Sequence, residues 1–225
     1  MYPGGHGRDA SVQDGLSSMY SRRHLDEIIS ELVVNGSIEL STPDGGAIPV
    51  VSTLLPYGTA VFVPKTLKRS LEDSLGCIGA LHQAGFDPVP HIAARQVHSA
   101  GELQEYLDRA VGEAGVHRVM VVGGDATEVQ GPFRDSAALI KSRILAKAGI
   151  REISVAGYPE GHPRIPLEAL AADLDAKVDM AAEQGLGLNI LTQFSFVPSR
   201  IIEFCDEMAH RAPRVPVYIG MAGPR

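Results

Sequence analysis

Polar residues capable of chemistry recur in this 225-residue chain at one kind of place, the downstream end of short apolar runs. Glu39 and Ser41, Lys65, His91, Asp125, Tyr158 with Glu160 and His162, and Thr192 with Gln193 each follow such a run. Two stretches show it best: Arg118-Val-Met-Val-Val-Gly-Gly-Asp125 and Ile153-Ser-Val-Ala-Gly-Tyr-Pro-Glu-Gly-His-Pro163. A buried parallel strand gains nothing by ending on a carboxylate, hydroxyl or imidazole unless those groups converge on a ligand. In α/β proteins the ligand face lies where strands end. One or two acids, several neutral hydrogen-bonding groups and much apolar wall suit an organic cofactor or a planar heterocycle. No HxH or HExxH pair and no carboxylate cluster at coordinating spacing is present, so no metal is expected. A GxSxG nucleophile elbow is also lacking.

These residues need strands and helices to position them. Strand-like runs fall at 37–41, 60–63, 88–93, 119–122, 153–156, 188–192 and 217–221. Between most of them the apolar period becomes helical. Ser99 and Glu102 form a capping box before Leu103, Tyr106, Leu107, Ala110 and Val111. Leu71, Leu75, Ile78 and Leu81 precede Gly85, and Leu139, Ile140, Arg143 and Ile144 precede Gly149. Pro166 suits the first turn of a helix carrying Leu167, Leu170, Leu174 and Val178, stopping near Gly185. Upstream, Leu25, Ile28, Ile29, Leu32 and Val33 form an amphipathic segment between Ser21 and Gly36.

A repeat of roughly 22 to 36 residues is that of a βα unit, whose strands are joined by crossovers and run parallel. The predicted fold is α/β, a (β/α)₈ TIM-type barrel. The first βα junction lacks the GxGxxG turn of a doubly wound dinucleotide-binding sheet. Only seven strands are counted. The expectation is therefore that a C-terminal βα unit is missing from this chain, the polypeptide continuing past Arg225 or a neighbouring chain supplying the strand. Residues 1–20, rich in Gly, Ser and Asp, read as a mobile segment, and 21–225 as a single barrel domain.

Composition narrows the partners. A hydrophobic content of 44% permits a sizeable core, and a net charge of -7 argues against nucleic acid. Lys65, Lys68 and Arg69 form the one tight basic group, either a solvated loop or a contact for an anionic ligand tail. No apolar run is long enough to span a membrane and no signal peptide is recognisable, so a cytoplasmic protein is expected. Cys77 and Cys205 read as reduced core thiols on helices.

A family resemblance rests on these same strand ends. Gly123-Gly-Asp125, Ala156-Gly-Tyr-Pro-Glu-Gly-His-Pro163 and Leu191-Thr-Gln-Phe194 resemble the successive strand ends of 5,10-methylenetetrahydrofolate reductases, and Ile38-Glu39-Leu40 resembles their first strand. The likeness runs from about Ser37 to the end, in order. It implies a barrel that binds FAD, takes hydride from NADH or NADPH, and converts methylenetetrahydrofolate to 5-methyltetrahydrofolate. It also implies a small-molecule folate as partner and is compatible with a homo-oligomer. Glu39 matches the family's catalytic acid, which must protonate N10 to open the methylene bridge. Asp125 matches the carboxylate between flavin and pterin, and Gln193 the amide that hydrogen-bonds the pterin. His91, Tyr158 and His162 match positions lining the flavin, and Lys177 resembles a helix lysine that reaches its phosphates.

Each of these residues also has a plainer reading. Glu39 could pair with a rim lysine, Asp125 could cap the next helix, Gln193 could face solvent, and His91 could be a buried, satisfied histidine. The chain also departs from the family pattern. Val63-Pro64-Lys65 replaces the usual Thr-Tyr-Gly, Gly123 stands where an arginine is usual, and Leu40-Ser-Thr-Pro43 replaces Phe-Phe-Pro-Pro. The first two of these losses remove donors that the resemblance places at the flavin's phosphates, so FAD is expected to bind weakly. Two alternatives follow: a flavin-independent reductase, or a folate- or flavin-binding subunit without its own turnover.

Overall fold

The computed structural model describes residues 22–41 and 45–223, in two compact units, residues 1–37 and 38–225. The segment expected to be mobile, residues 1–20, lies outside the described residues. In the first unit the amphipathic period becomes α1 (Arg22–Val34). Asn35 closes it, its backbone N–H and side-chain amide both donating to the Glu31 carbonyl, at 3.0 and 2.9 Å.

The second unit is built on seven parallel strands in sequential order: β1 (Ile38–Glu39), β2 (Ala60–Val63), β3 (Asp87–Ala93), β4 (Arg118–Val122), β5 (Glu152–Gly157), β6 (Gly187–Thr192) and β7 (Val217–Tyr218). Such neighbours require crossovers. Helices supply them: α2 (Ile48–Leu54), α3 (Leu75–Gln83), α4 (Ala100–Ala114), the short α5 (Ser136–Lys141) and α6 (Ile144–Lys147), α7 (Leu167–Glu183) and α8 (Pro198–Arg211). The result is an α/β fold with a curled seven-stranded sheet. No described helix is long and apolar enough to cross a membrane.

Both faces of the sheet are apolar, which is why its strands read as unbroken hydrophobic runs. Val61, Val63, Ile92, Val119, Val121, Ile153, Val155 and Ile190 belong to the core shared with the helices. The alternate residues Phe62, Val89 and Met120 form a second cluster inside the curl, flanked by Ala60, Val122, Ala156 and Leu191. Glu39, His91, Ser154 and Asn189 share this inner face by register, Glu39 opposite Phe62 and His91 opposite Met120.

The elements depart from expectation in physically instructive places. Strands β1 and β7 are shorter than their apolar runs because an edge strand has a ladder on one side only. After Tyr218 the chain leaves the ladder, and the Gly220 N–H donates to the Thr192 hydroxyl at 3.0 Å. The helix read across Leu139 to Ile144 is two helices, broken where Arg143 turns left-handed at φ 63°. The Ser142 hydroxyl drives the break, donating to the Leu139 carbonyl and accepting from the Ile144 N–H in place of the helical ladder. Ser99 caps α4 as expected, accepting from the Glu102 N–H at 3.0 Å. The Glu102 carboxylate, however, reaches the His98 N–H rather than that of Ser99. Cys77 is buried and Cys205 half-buried, and neither forms a disulfide.

Candidate active site

The two ends of the sheet treat polar groups differently. Toward the strands' N-terminal ends, polar side chains pair with one another. Arg118 donates through Nε to Asp87 at 2.7 Å, His117 lies 3.7 Å from the other Asp87 oxygen, and Asn189 donates to Glu152 at 2.5 Å. Toward the C-terminal ends, the side chains of Glu39, His91, Asp125 and Gln193 have no hydrogen-bond or ion-pair partner among the described residues. Paired polar groups stabilise a fold; unpaired ones gathered at one rim are available to a ligand.

Glu39 ends β1 on the inner face. Water reaches its side chain, yet burial raises its carboxyl above the ordinary value of 4.5. No lysine pairs with it among the described residues, so the rim-pair reading fails. His91, two strands away, is set against Phe62 edge to face, ring centroids 5.9 Å apart. Apolar surroundings lower its imidazole to about 4. Its Nε2 is shut off from water without a partner, which overturns the reading of a satisfied core histidine. An unfilled buried group of this kind costs about 1–3 kcal/mol.

Asp125 stands exposed on the loop after β4. It caps no helix; the cap of α5 is Asp135, which accepts from the Ala138 N–H at 2.7 Å. The turn before Asp125 needs Gly124, whose φ is 89° and whose added Cβ would lie 3.0 Å from that of Ala93. Gly123 is open, with nothing within 4 Å of a Cβ. Arg95 holds the rest of the loop. Its guanidinium donates to the carbonyls of Arg134 at 3.0 Å and Ala126 at 3.3 Å, and its backbone bonds to Gly123 and Gln130. Gly131 lies so close that a Cβ would sit 2.2 Å from the Val97 carbonyl oxygen.

Tyr158 and His162 follow β5 and meet edge to face at 5.2 Å. The His162 Nδ1 accepts from the Arg164 N–H at 3.2 Å, so a proton on the neutral ring resides on Nε2. Burial raises the Tyr158 phenol, and the carboxylates of Asp173 and Asp125 raise it further. It therefore stays a hydrogen-bond donor. Asp173, on α7, also pairs with Lys177 one turn on. Sequence reasoning passed over Asp173, although an acid four residues before a lysine on a helix is the spacing of an ion pair.

The loop from Glu160 to Leu167 encloses an open cleft of about 480 Å³. Glu160 is tied to the β6 loop by the Ser195 hydroxyl at 2.5 Å, and the Gln193 N–H donates to the Gly157 carbonyl at 2.7 Å. The Gln193 side chain faces solvent beside Phe194 and Phe196, which meet edge to face at 5.7 Å and stay 50% and 78% exposed. Of the basic trio, Lys65 is not a solvated loop lysine. Half-buried, it donates to Gln96 at 2.7 Å and to the carbonyls of Thr66, at 2.8 Å, and Arg69. Among the described residues, no group of three or more His, Cys, Asp or Glu could hold a metal ion.

The family model for methylenetetrahydrofolate reductase matches residues 63–222. The chain belongs to the methylenetetrahydrofolate reductase family. That match spans every strand from β3 onward and both loops that carry Asp125 and Tyr158, and Glu39 precedes it. Among solved structures, a dihydropyrimidinase from Brevibacillus agri NCHU1002 aligns with 83% of this chain at 12% identity and a TM-score of 0.45. This chain covers 45% of that protein's length. The cytoplasmic domain of a prokaryotic cation chloride cotransporter aligns with 84% of this chain and 79% of its own, at 11% identity and a TM-score of 0.25. Likenesses this distant carry no functional weight.

Proposed function

We propose that this protein reduces 5,10-methylenetetrahydrofolate to 5-methyltetrahydrofolate with NADH or NADPH, using bound FAD, within a (β/α)₈-type barrel of which these seven strands are part. The observation that carries the proposal is that four polar side chains toward the C-terminal ends of the strands, Glu39, His91, Asp125 and Gln193, have no partner among the described residues, in a chain of this family.

The residues have chemistry suited to the reaction. Glu39, its carboxyl raised by burial, keeps a proton closer to neutral pH than a solvated glutamate and delivers it to N10. The carboxylate of Asp125 stabilises the cationic N5 iminium left when the N10 bond opens. Gln193 offers adjacent donor and acceptor to the pterin. FAD, when bound, relays hydride from the nicotinamide to the folate. Its ring half fits the residues present, since His91 has an orphaned Nε2, Tyr158 keeps its proton, and the strand end at Gly123 is open.

The diphosphate half fits less well. Arg95 and Lys65 are occupied by oxygen acceptors of the protein, and Lys177, the lysine the resemblance assigns to the phosphates, is paired with Asp173. Losing two charge-assisted hydrogen bonds weakens binding by roughly 10² to 10⁴-fold. The protein is therefore expected to purify only partly yellow. Flavin fluorescence during titration of FAD into the apo-protein should show saturable binding below ~100 μM. No binding in that range, with NAD(P)H-dependent folate reduction in FAD's absence, would favour the flavin-free reading, which the occupied Lys65 and Arg95 support.

A further inference from the structure

Lys177 lies on the sheet-facing side of α7 with Leu174 and Ala181, and only 6% of it is exposed. Helical side chains lean toward their helix's N-terminus, and α7 begins at the rim, just after β5. The lysine stem is therefore buried while its ammonium points back toward the site. There it meets Asp173, the only acceptor it has among the described residues. An ammonium has three N–H donors, and Asp173 is the one acceptor the described residues bring to them. Lys65, by contrast, is filled by three acceptors and serves to fasten its loop.

Asp173 is itself unusual. It is partly exposed, and its charge reaches the Tyr158 phenol on the site side as well as Lys177 beneath. An anionic group of a ligand entering between Tyr158 and Lys177 would meet the carboxylate before it met the ammonium. We propose that Asp173 is a built-in competitor for Lys177: it takes the place a ligand's diphosphate would occupy, and so weakens the hold on any diphosphate-bearing ligand. The inference rests on the function proposed above and explains weak cofactor binding by a residue present rather than by residues lost. It gives the site a cation that is neutralised until a ligand displaces its partner.

Substitution at both members of the pair tests this. Inorganic pyrophosphate, titrated by calorimetry, is expected to bind Asp173→Asn about tenfold more tightly than wild type, the order of effect of one partly screened charge. The double variant Asp173→Asn, Lys177→Met should lose that gain. Riboflavin, which has no phosphate, should bind all three proteins alike. Parallel titrations with FAD and with NAD⁺ identify which diphosphate belongs there, since only that one tightens in Asp173→Asn. Matching melting curves establish that the variants fold, and Asp173→Ser replaces Asp173→Asn if it does not. Unchanged or weaker pyrophosphate binding in the Asp173 variant would overturn the inference, as would a gain that survives loss of Lys177. Tighter pyrophosphate without FAD binding in any variant supports the inference and removes only the FAD reading.

Discussion

Glu39→Gln is expected to abolish reduction of methylenetetrahydrofolate, lowering kcat on the order of 10²-fold or more, the usual loss when a general acid is removed. Oxidation of NAD(P)H by a quinone in the presence of FAD should continue, because that reaction needs no proton at N10. Two further signatures separate a proton donor from a structural glutamate. In the wild-type protein the folate reaction should decline as pH rises through the Glu39 value, which burial places above 4.5. The residual rate of Glu39→Gln should lack that limb. The second signature is stability. A carboxyl whose folded value is raised is penalised when charged, so the penalty is complete above the folded value and absent below the unfolded one. Glu39→Gln should therefore melt no lower than wild type at pH 8, and any advantage should vanish on acidification below 4.5. Near wild-type folate reduction, or a loss of activity matched by a loss of stability, would remove Glu39 from its role.

The second large effect is expected from His91 on the acid side. Its imidazole is lowered from 6.5 to about 4 by burial against Phe62 and neighbouring apolar side chains. Unfolding releases it to take a proton at its ordinary value. The ring therefore has no protonation penalty above 6.5, while stability falls as pH drops from 6.5 toward 4. A shift of this size corresponds to up to about 3 kcal/mol. Urea unfolding at pH 7.5 and pH 4.5 should show His91→Gln losing clearly less stability than wild type across that interval. Equal losses in both proteins would show that the ring is solvated and its Nε2 not the unfilled group described above.

What the sequence revealed and what it hid follow from the range of the interactions involved. Strand positions were legible because a sheet buried on both faces demands apolar runs, and β2 was located residue for residue. The rim residues were legible for the complementary reason, since Asp125 and Tyr158 end such runs with groups no strand interior needs. Helix α2 was not among the helical segments read from the sequence, since it has only seven residues, although Pro49 sits in its first turn. The break at Arg143 was hidden because it depends on one serine hydroxyl. Lys65 was read as a solvated loop residue or a contact for an anionic ligand tail because nothing local shows that it will meet Gln96 and the carbonyls of Thr66 and Arg69. Asp173 was overlooked for the opposite reason: its partner is one helical turn away, and the i, i+4 spacing was on view all along.

The central claim is that this rim reduces methylenetetrahydrofolate, and the most direct measurement follows product rather than cofactor. The purified protein is incubated anaerobically with methylenetetrahydrofolate, FAD and NADH or NADPH, with Glu39→Gln in parallel, and folates are quantified by mass spectrometry. The predicted result is 5-methyltetrahydrofolate formed in step with the NAD(P)H consumed by the wild-type protein, and essentially none from the variant. No 5-methyltetrahydrofolate from the wild-type protein with either nucleotide, with or without added FAD, would contradict the account.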